Sequence, residues 1–174
     1  ATSNVVFDNA CGNEELKLTI TTAGTVSIGG ITNTQASGNA DELTDLIIGD
    51  GGTTQVVIVH LAVVGRDVHD GSVTGDLDIF LDAAGCGSNT TSTLTMNGAV
   101  DAYTELIMSG DGNSEAILNV GDGANSVTNT ISVSMNDAIN ASNNVINVKA
   151  LATMAGTIDM GAVASQATAV INLA

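Results

Sequence analysis

Apolar residues take every second position in short runs along the chain. Leu16-Lys17-Leu18-Thr19-Ile20 is one such run, and Thr25-Val26-Ser27-Ile28, Thr93-Leu94-Thr95-Met96 and Thr130-Ile131-Ser132-Val133-Ser134-Met135 repeat the pattern. Successive side chains of a strand point to opposite faces, so each run predicts a strand with one buried and one wet face. The β-branched residues that fill these runs suit a half-buried pleated surface. In the second half, strand-like segments begin near Thr93, Glu105, Ala116, Thr130, Val145, Thr157 and Ala169, an almost even spacing. Asn39-Ala40-Asp41-Glu42-Leu43 instead has the cap residue and early acids of a short helix. Val145, Val148, Leu151 and Met154 recur every third residue, yet the segment is read here as strand.

Turn signals separate the runs. Asp-Gly occurs at 50–51, 70–71, 111–112 and 122–123, and Asn-Gly at 97–98. These dipeptides tolerate the positive φ that primed hairpin turns demand. They predict one hairpin from Leu46-Ile47-Ile48 through Gly49–Gly52 to the run Gln55–Val64, and another from Glu105–Met108 through Gly110–Asn113 to Glu115–Val120. The expected fold is therefore a single all-β domain over residues 1–174, an antiparallel β-sandwich of jelly-roll or immunoglobulin-like type. The alternative is a β-solenoid, in which such segments stack as parallel rungs. The uneven steps and the Asp-Gly turns favour the sandwich.

Composition narrows the function classes. Lys and Arg number 3 against 19 Asp and Glu, for a formal net charge of -16. Three basic residues cannot neutralise a row of phosphates, which excludes nucleic acid as a partner. Aromatics make up 2% of the chain, leaving no stacking platform for bases or sugars. With 44% hydrophobic residues the chain is not of the disordered type. No apolar run reaches the length of a membrane-spanning helix, so no membrane insertion is expected. The chain starts on Ala1 and reads as a mature secreted chain whose signal peptide has been removed. Cys11 and Cys86 then read as one disulfide, which would stabilise by about 4 kcal/mol in the chain-entropy picture. The alternative is a pair of free buried thiols.

Candidate chemistry is sparse. Asp76-Leu77-Asp78-Ile79-Phe80-Leu81-Asp82 places Asp76, Asp78 and Asp82 on one strand face, with Asp70 in a preceding turn. Carboxylates with nearby turn carbonyls are what Ca²⁺ binds, so these four are the candidate calcium ligands. The competing reading is a charged, solvated strand face that resists edge-to-edge pairing. The Gly-Asp-Gly turns at Asp50, Asp111 and Asp122 read as turn chemistry, since no EF-hand loop or full calcium-repeat nonapeptide is present. His60 lies within an apolar run and His69 in a turn, and neither has a nucleophile at a recognisable spacing. No catalysis is expected, and Ca²⁺ is the one cofactor considered. Asn89 and Asn140 match the N-glycosylation acceptor pattern.

Two terminal segments are apolar and β-prone. One is Val5-Val6-Phe7, within an N-terminal extension at residues 1–10; the other is Ala169-Val170-Ile171-Asn172-Leu173, with Ala169, Ile171 and Leu173 on one face. Either would complete the sheet of a neighbouring copy by strand addition, or serve as an ordinary strand of its own sheet. The alternating Thr-rich strands, the Gly-Asp-Gly turns and the mature-looking Ala1 resemble those of secreted prokaryotic surface proteins: strand-donating pilin and fibre subunits, and the β-repeat parts of S-layer proteins and adhesins. The wide separation of Cys11 and Cys86 departs from the usher-type pilin pattern. The resemblance implies an extracellular structural subunit of a filament, fibre or surface layer whose partner is itself. The rival readings are an adhesive or ligand-binding β-module and a virion decoration or fibre protein.

Overall fold

The computed structural model describes residues 2–7, 16–20, 23–33, 44–48, 55–64, 77–82, 91–101, 104–111, 115–139, 143–160 and 168–174. The chain winds around three faces, one strand per face. It begins with β1 (Val5–Phe7), β2 (Leu16–Ile20) and β3 (Gly24–Ile28), then β4 (Ile31–Asn33), β5 (Thr44–Ile48) and β6 (Gln55–Val59). Next come β7 (Val63–Val64), β8 (Leu77–Asp82), β9 (Thr91–Met96), β10 (Thr104–Asp111) and β11 (Glu115–Val120). The last are β12 (Val127–Asn129), β13 (Ser132–Ile139), β14 (Asn143–Val148), β15 (Ala152–Met154), β16 (Ile158–Asp159) and β17 (Thr168–Leu173).

Every strand pairs in parallel with the strand one coil away. The second face is a 6-stranded sheet in the order β2-β5-β8-β10-β13-β16, reading from the first coil, and the third is a 6-stranded sheet in the order β3-β6-β9-β11-β14-β17. The first face runs through β1, β4 and β7, then through Val100, which bridges Val63 to Asn129, and on to β12 and β15. The architecture is a β-solenoid.

The expected antiparallel sandwich is therefore overturned, and the parallel registers overturn it. Leu46-Ile47-Ile48 and Gln55–Val59 do form strands, but β5 pairs with β2 and β8 while β6 pairs with β3 and β9. Glu105–Met108 and Glu115–Val120 likewise lie on different faces, in β10 and β11. The chain turns a corner where a hairpin was expected. Alternation misleads here for a physical reason. Parallel sheets are usually buried on both faces and read as continuous apolar runs. A solenoid buries one face of each sheet against a shared axial core and leaves the other wet, so its parallel strands alternate as antiparallel ones do. The run Gln55–Val64 is also broken: β6 ends at Val59, and His60 and Leu61 are exposed at the corner before β7. The helix start expected at Asn39–Leu43 lies outside the described residues.

The core is a set of side-chain columns, one residue per coil. On the third face Val57, Leu94, Leu118 and Ile146 stand in register and are wholly buried. On the second face Leu46, Ile79 and Leu106 do the same. Buried polar side chains tie off the corners. Gln55, at the start of β6, donates from Nε2 to the carbonyl of Ile20 at the end of β2 (2.7 Å). Asn144, near the start of β14, donates from Nδ2 to the carbonyl of Met108 (3.2 Å). Asn129 accepts the Ile131 N–H at its Oδ1 (3.0 Å) as the chain leaves the first face. Gln55 and Asn129 satisfy backbone groups that a corner takes out of the sheet ladder, and Asn144 does so for Met108 at the register shift within β10.

Candidate assembly surfaces

Among the described residues, the outermost strands at each end of the second and third sheets pair on one side. The second and third sheets end at β2 and β3 on one side and at β16 and β17 on the other. The column Val57–Ile146 continues outward to Val26 at one end and Ile171 at the other, and both are only half-buried. The adjacent column of Val59, Met96, Val120 and Val148 ends at Leu173, which is 79% exposed against 8% for Val148. Met154 and Ile158 in the last coil are half-buried as well. Both ends thus offer parallel strand edges with the same order of inward apolar positions.

Charge is distributed unevenly between these edges. Lys17, one of the three basic residues, is on the edge strand β2, and Asp159 is on β16 at the far edge of the same sheet. Between them, Asp45, Asp78 and Glu105 occupy one row across adjacent strands, in register with Lys17.

The outer side of the third face is different. Its middle row holds Thr25, Val56, Thr93, Ile117, Val145 and Val170, and its next row Ser27, Ile58, Thr95, Asn119, Asn147 and Asn172. In the latter row the side chains bond to one another. Asn172 donates from Nδ2 to Oδ1 of Asn147 (2.8 Å), Asn147 to Oδ1 of Asn119 (2.9 Å), and Asn119 to Oγ1 of Thr95 (3.2 Å). This ladder fixes four coils in register, and the sequence reading missed it. Its signal was present: Ile117-Leu118-Asn119-Val120, Val145-Ile146-Asn147-Val148 and Val170-Ile171-Asn172-Leu173 are one phrase, with the asparagines 28 and 25 residues apart.

The assembly strands named from the sequence are both strands of their own solenoid here. Val5, Val6 and Phe7 form β1, paired with β4, while Ala169, Ile171 and Leu173 belong to β17, paired with β14. Of the calcium candidates, Asp78 is half-buried on the outer side of β8, opposite the buried Leu77, Ile79 and Leu81. Asp82 ends that strand, and Asp70 and Asp76 lie outside the described residues, as do Cys11, Cys86, Asp50, His69, Asn89 and Asn140. Among the described residues, no three His, Cys, Asp or Glu side chains gather in a metal-binding group, and no helix is long and apolar enough to cross a membrane. Asp122 works as a turn. Its carboxylate accepts the backbone N–H groups of Ala124 (2.8 Å) and Asn125 (2.9 Å) and the Asn125 side-chain amide (2.8 Å), between Gly121 and Gly123, both at positive φ. These bonds, the one from Ala124 foremost, hold its pKa below the usual aspartate value.

Compared with known proteins, the chain matches no family model, no curated relative and no solved structure.

Proposed function

We propose that the chain is a structural segment of an extracellular fibre or surface layer, extended by coil-on-coil stacking of its copies. The observation that carries this reading is the match between the two outermost described coils. The edge formed by β16 and β17 repeats the strand order and inward apolar columns of the edge formed by β2 and β3. A copy added in register sets Ile171 against Val26 and Leu173 against Ile28, and continues the ladder of Asn172 into Ser27. Main-chain hydrogen bonds supply the affinity, as in any strand addition, and the apolar columns supply the register. An address outside the cell rests on the likeness of its Thr-rich strands and Gly-Asp-Gly turns to those of secreted surface proteins. With a net charge of -16, copies repel one another at low ionic strength, and salt or a divalent cation such as Ca²⁺ reduces that barrier.

Sedimentation and negative-stain imaging of the chain at rising protein and salt concentration test the reading. The expected result is linear polymers that lengthen with both. Leu173→Asp should abolish them while leaving the circular dichroism of the subunit unchanged, because Leu173 is exposed in the single copy. A protein that stays monomeric at millimolar concentration in high salt would overturn the proposal.

A further inference from the structure

We infer that the outer side of the third sheet is a second self-association surface, through which two stacked columns of this chain pair face to face. The inference rests on the stacking reading and deepens it. Across the described part of this face Glu115 is the one charged side chain, in a chain that carries 19 acids. Its middle row is a mostly apolar seam: Val56, Ile117, Val145 and Val170 are all half-buried on an outward-facing surface, with Thr25 and Thr93 at the two remaining positions. Largely polar rows flank the seam, with Glu115 on one side and Asn119 and Asn147 on the other, Ile58 being the apolar member of the latter row. An apolar centre with a polar rim, depleted of charge, is the anatomy of a protein interface. A two-fold axis through the seam lays each apolar row on its counterpart, which gives a self-complementary contact between identical chains. The second sheet offers no such approach, because its outer side carries Asp78 and Glu105 in one row.

Area decides when this surface acts. Six strands spaced about 4.8 Å apart, each about 18 Å long, give a face of roughly 500 Å² per copy. A stable interface needs about 800 Å² per partner. One copy falls short, whereas two copies stacked end to end exceed the requirement with the same seam. Face pairing is therefore a property of the polymer: free subunits do not dimerise through this face, and stacked ones do.

The test compares fibre widths by electron microscopy. Wild-type fibres are expected to be two columns wide. Val145→Asp should give fibres one column wide, while Thr128→Asp, which adds the same charge on the exposed side of the first face, should leave them paired. Ile117→Thr keeps a β-branched side chain and the fold, and should shift the population towards single columns. Leu173→Asp should remain monomeric with no residual dimer. Single-column wild-type fibres, or Val145→Asp fibres that stay paired, would overturn the pairing and leave stacking intact. A stable dimer of Leu173→Asp would overturn the area argument. An absence of fibres of any width would overturn stacking, and pairing with it.

Discussion

Asn147 occupies the middle of a chain of amides and shows how one residue type is used in two ways. On the outer side of the third face it donates to Asn119 and accepts from Asn172. Both bonds run along the solenoid axis, parallel to the backbone ladder, so they add to register as well as stability. A typical intramolecular hydrogen bond contributes about 0.5–1.5 kcal/mol net. Asn147→Ala should therefore cost about 1–2 kcal/mol in urea unfolding, while Asn143→Ala, an exposed change outside the ladder, should stay within about 0.5 kcal/mol. Equal effects would mean that the ladder contributes nothing. Inside the solenoid the same side chain satisfies displaced backbone groups: Asn129 and Asn144 are wholly buried, and they bond the Ile131 N–H at a corner and the Met108 carbonyl at the register shift within β10. Chains of these amides also explain how so few aromatic residues suffice. Packing is done by one aliphatic residue per coil, repeated in columns, and polar satisfaction is done by Asn and Gln.

At the scale of the element, strands were legible and their connection was not. The segments starting near Thr93, Glu105, Ala116, Val145, Thr157 and Ala169 all fall within two residues of the observed strand starts at Thr91, Thr104, Glu115, Asn143, Ile158 and Thr168. The alternation at Leu77 to Asp82 also placed the right side chains in the core. What alternation cannot state is whether a strand's partner runs beside it in the opposite sense or above it in the same sense. Asp-Gly turns do not decide the matter either, because a corner uses the same positive φ as a hairpin, as Gly121 and Gly123 show. The assembly ends were legible only as apolar strands, since exposure of Leu173 follows from its place in the last coil and not from its neighbours in sequence. Glycines at the corners carry a difference that the sequence conceals. Gly123 needs its left-handed backbone but has nothing within 4 Å of where a Cβ would stand. Gly98 has an ordinary φ, yet a Cβ there would meet the backbone of Leu61 and Ala62 in the adjacent coil. Gly123→Ala should cost about 1–2 kcal/mol, the strain of that backbone region. Gly98→Ala must push two coils apart and should cost at least as much as core overpacking, about 1–3 kcal/mol, with broadened amide signals in both coils. Thermal unfolding of the two variants, with chemical-shift mapping, separates strain at one residue from displacement of a coil.

For the whole molecule, the governing fact is that the described strands pair coil to coil along one axis. The stability of such an array is close to a sum of coil terms and interface terms. Among the described strands, interior coils pair on two sides and the outermost ones on one, which the burial of Val57, Leu94 and Leu118 against the exposure of Leu173 makes visible. Local opening therefore begins at the ends, and amides there exchange at the lowest cost. In the free chain, hydrogen exchange should be fastest in β16 and β17, slower in β2 and β3, where Ile20 and Ile28 are better covered, and slowest in β9 and β11. Stacking supplies the missing interface at both ends at once. On polymerisation, protection should rise in β17 and β3 together, with little change in β9 and β11. Face pairing covers side chains of the third sheet but adds no backbone bonds, so it should leave this pattern unaltered. Assembly driven by some other surface would raise protection elsewhere, or at one end only, and the two ends of the solenoid would then have no common role.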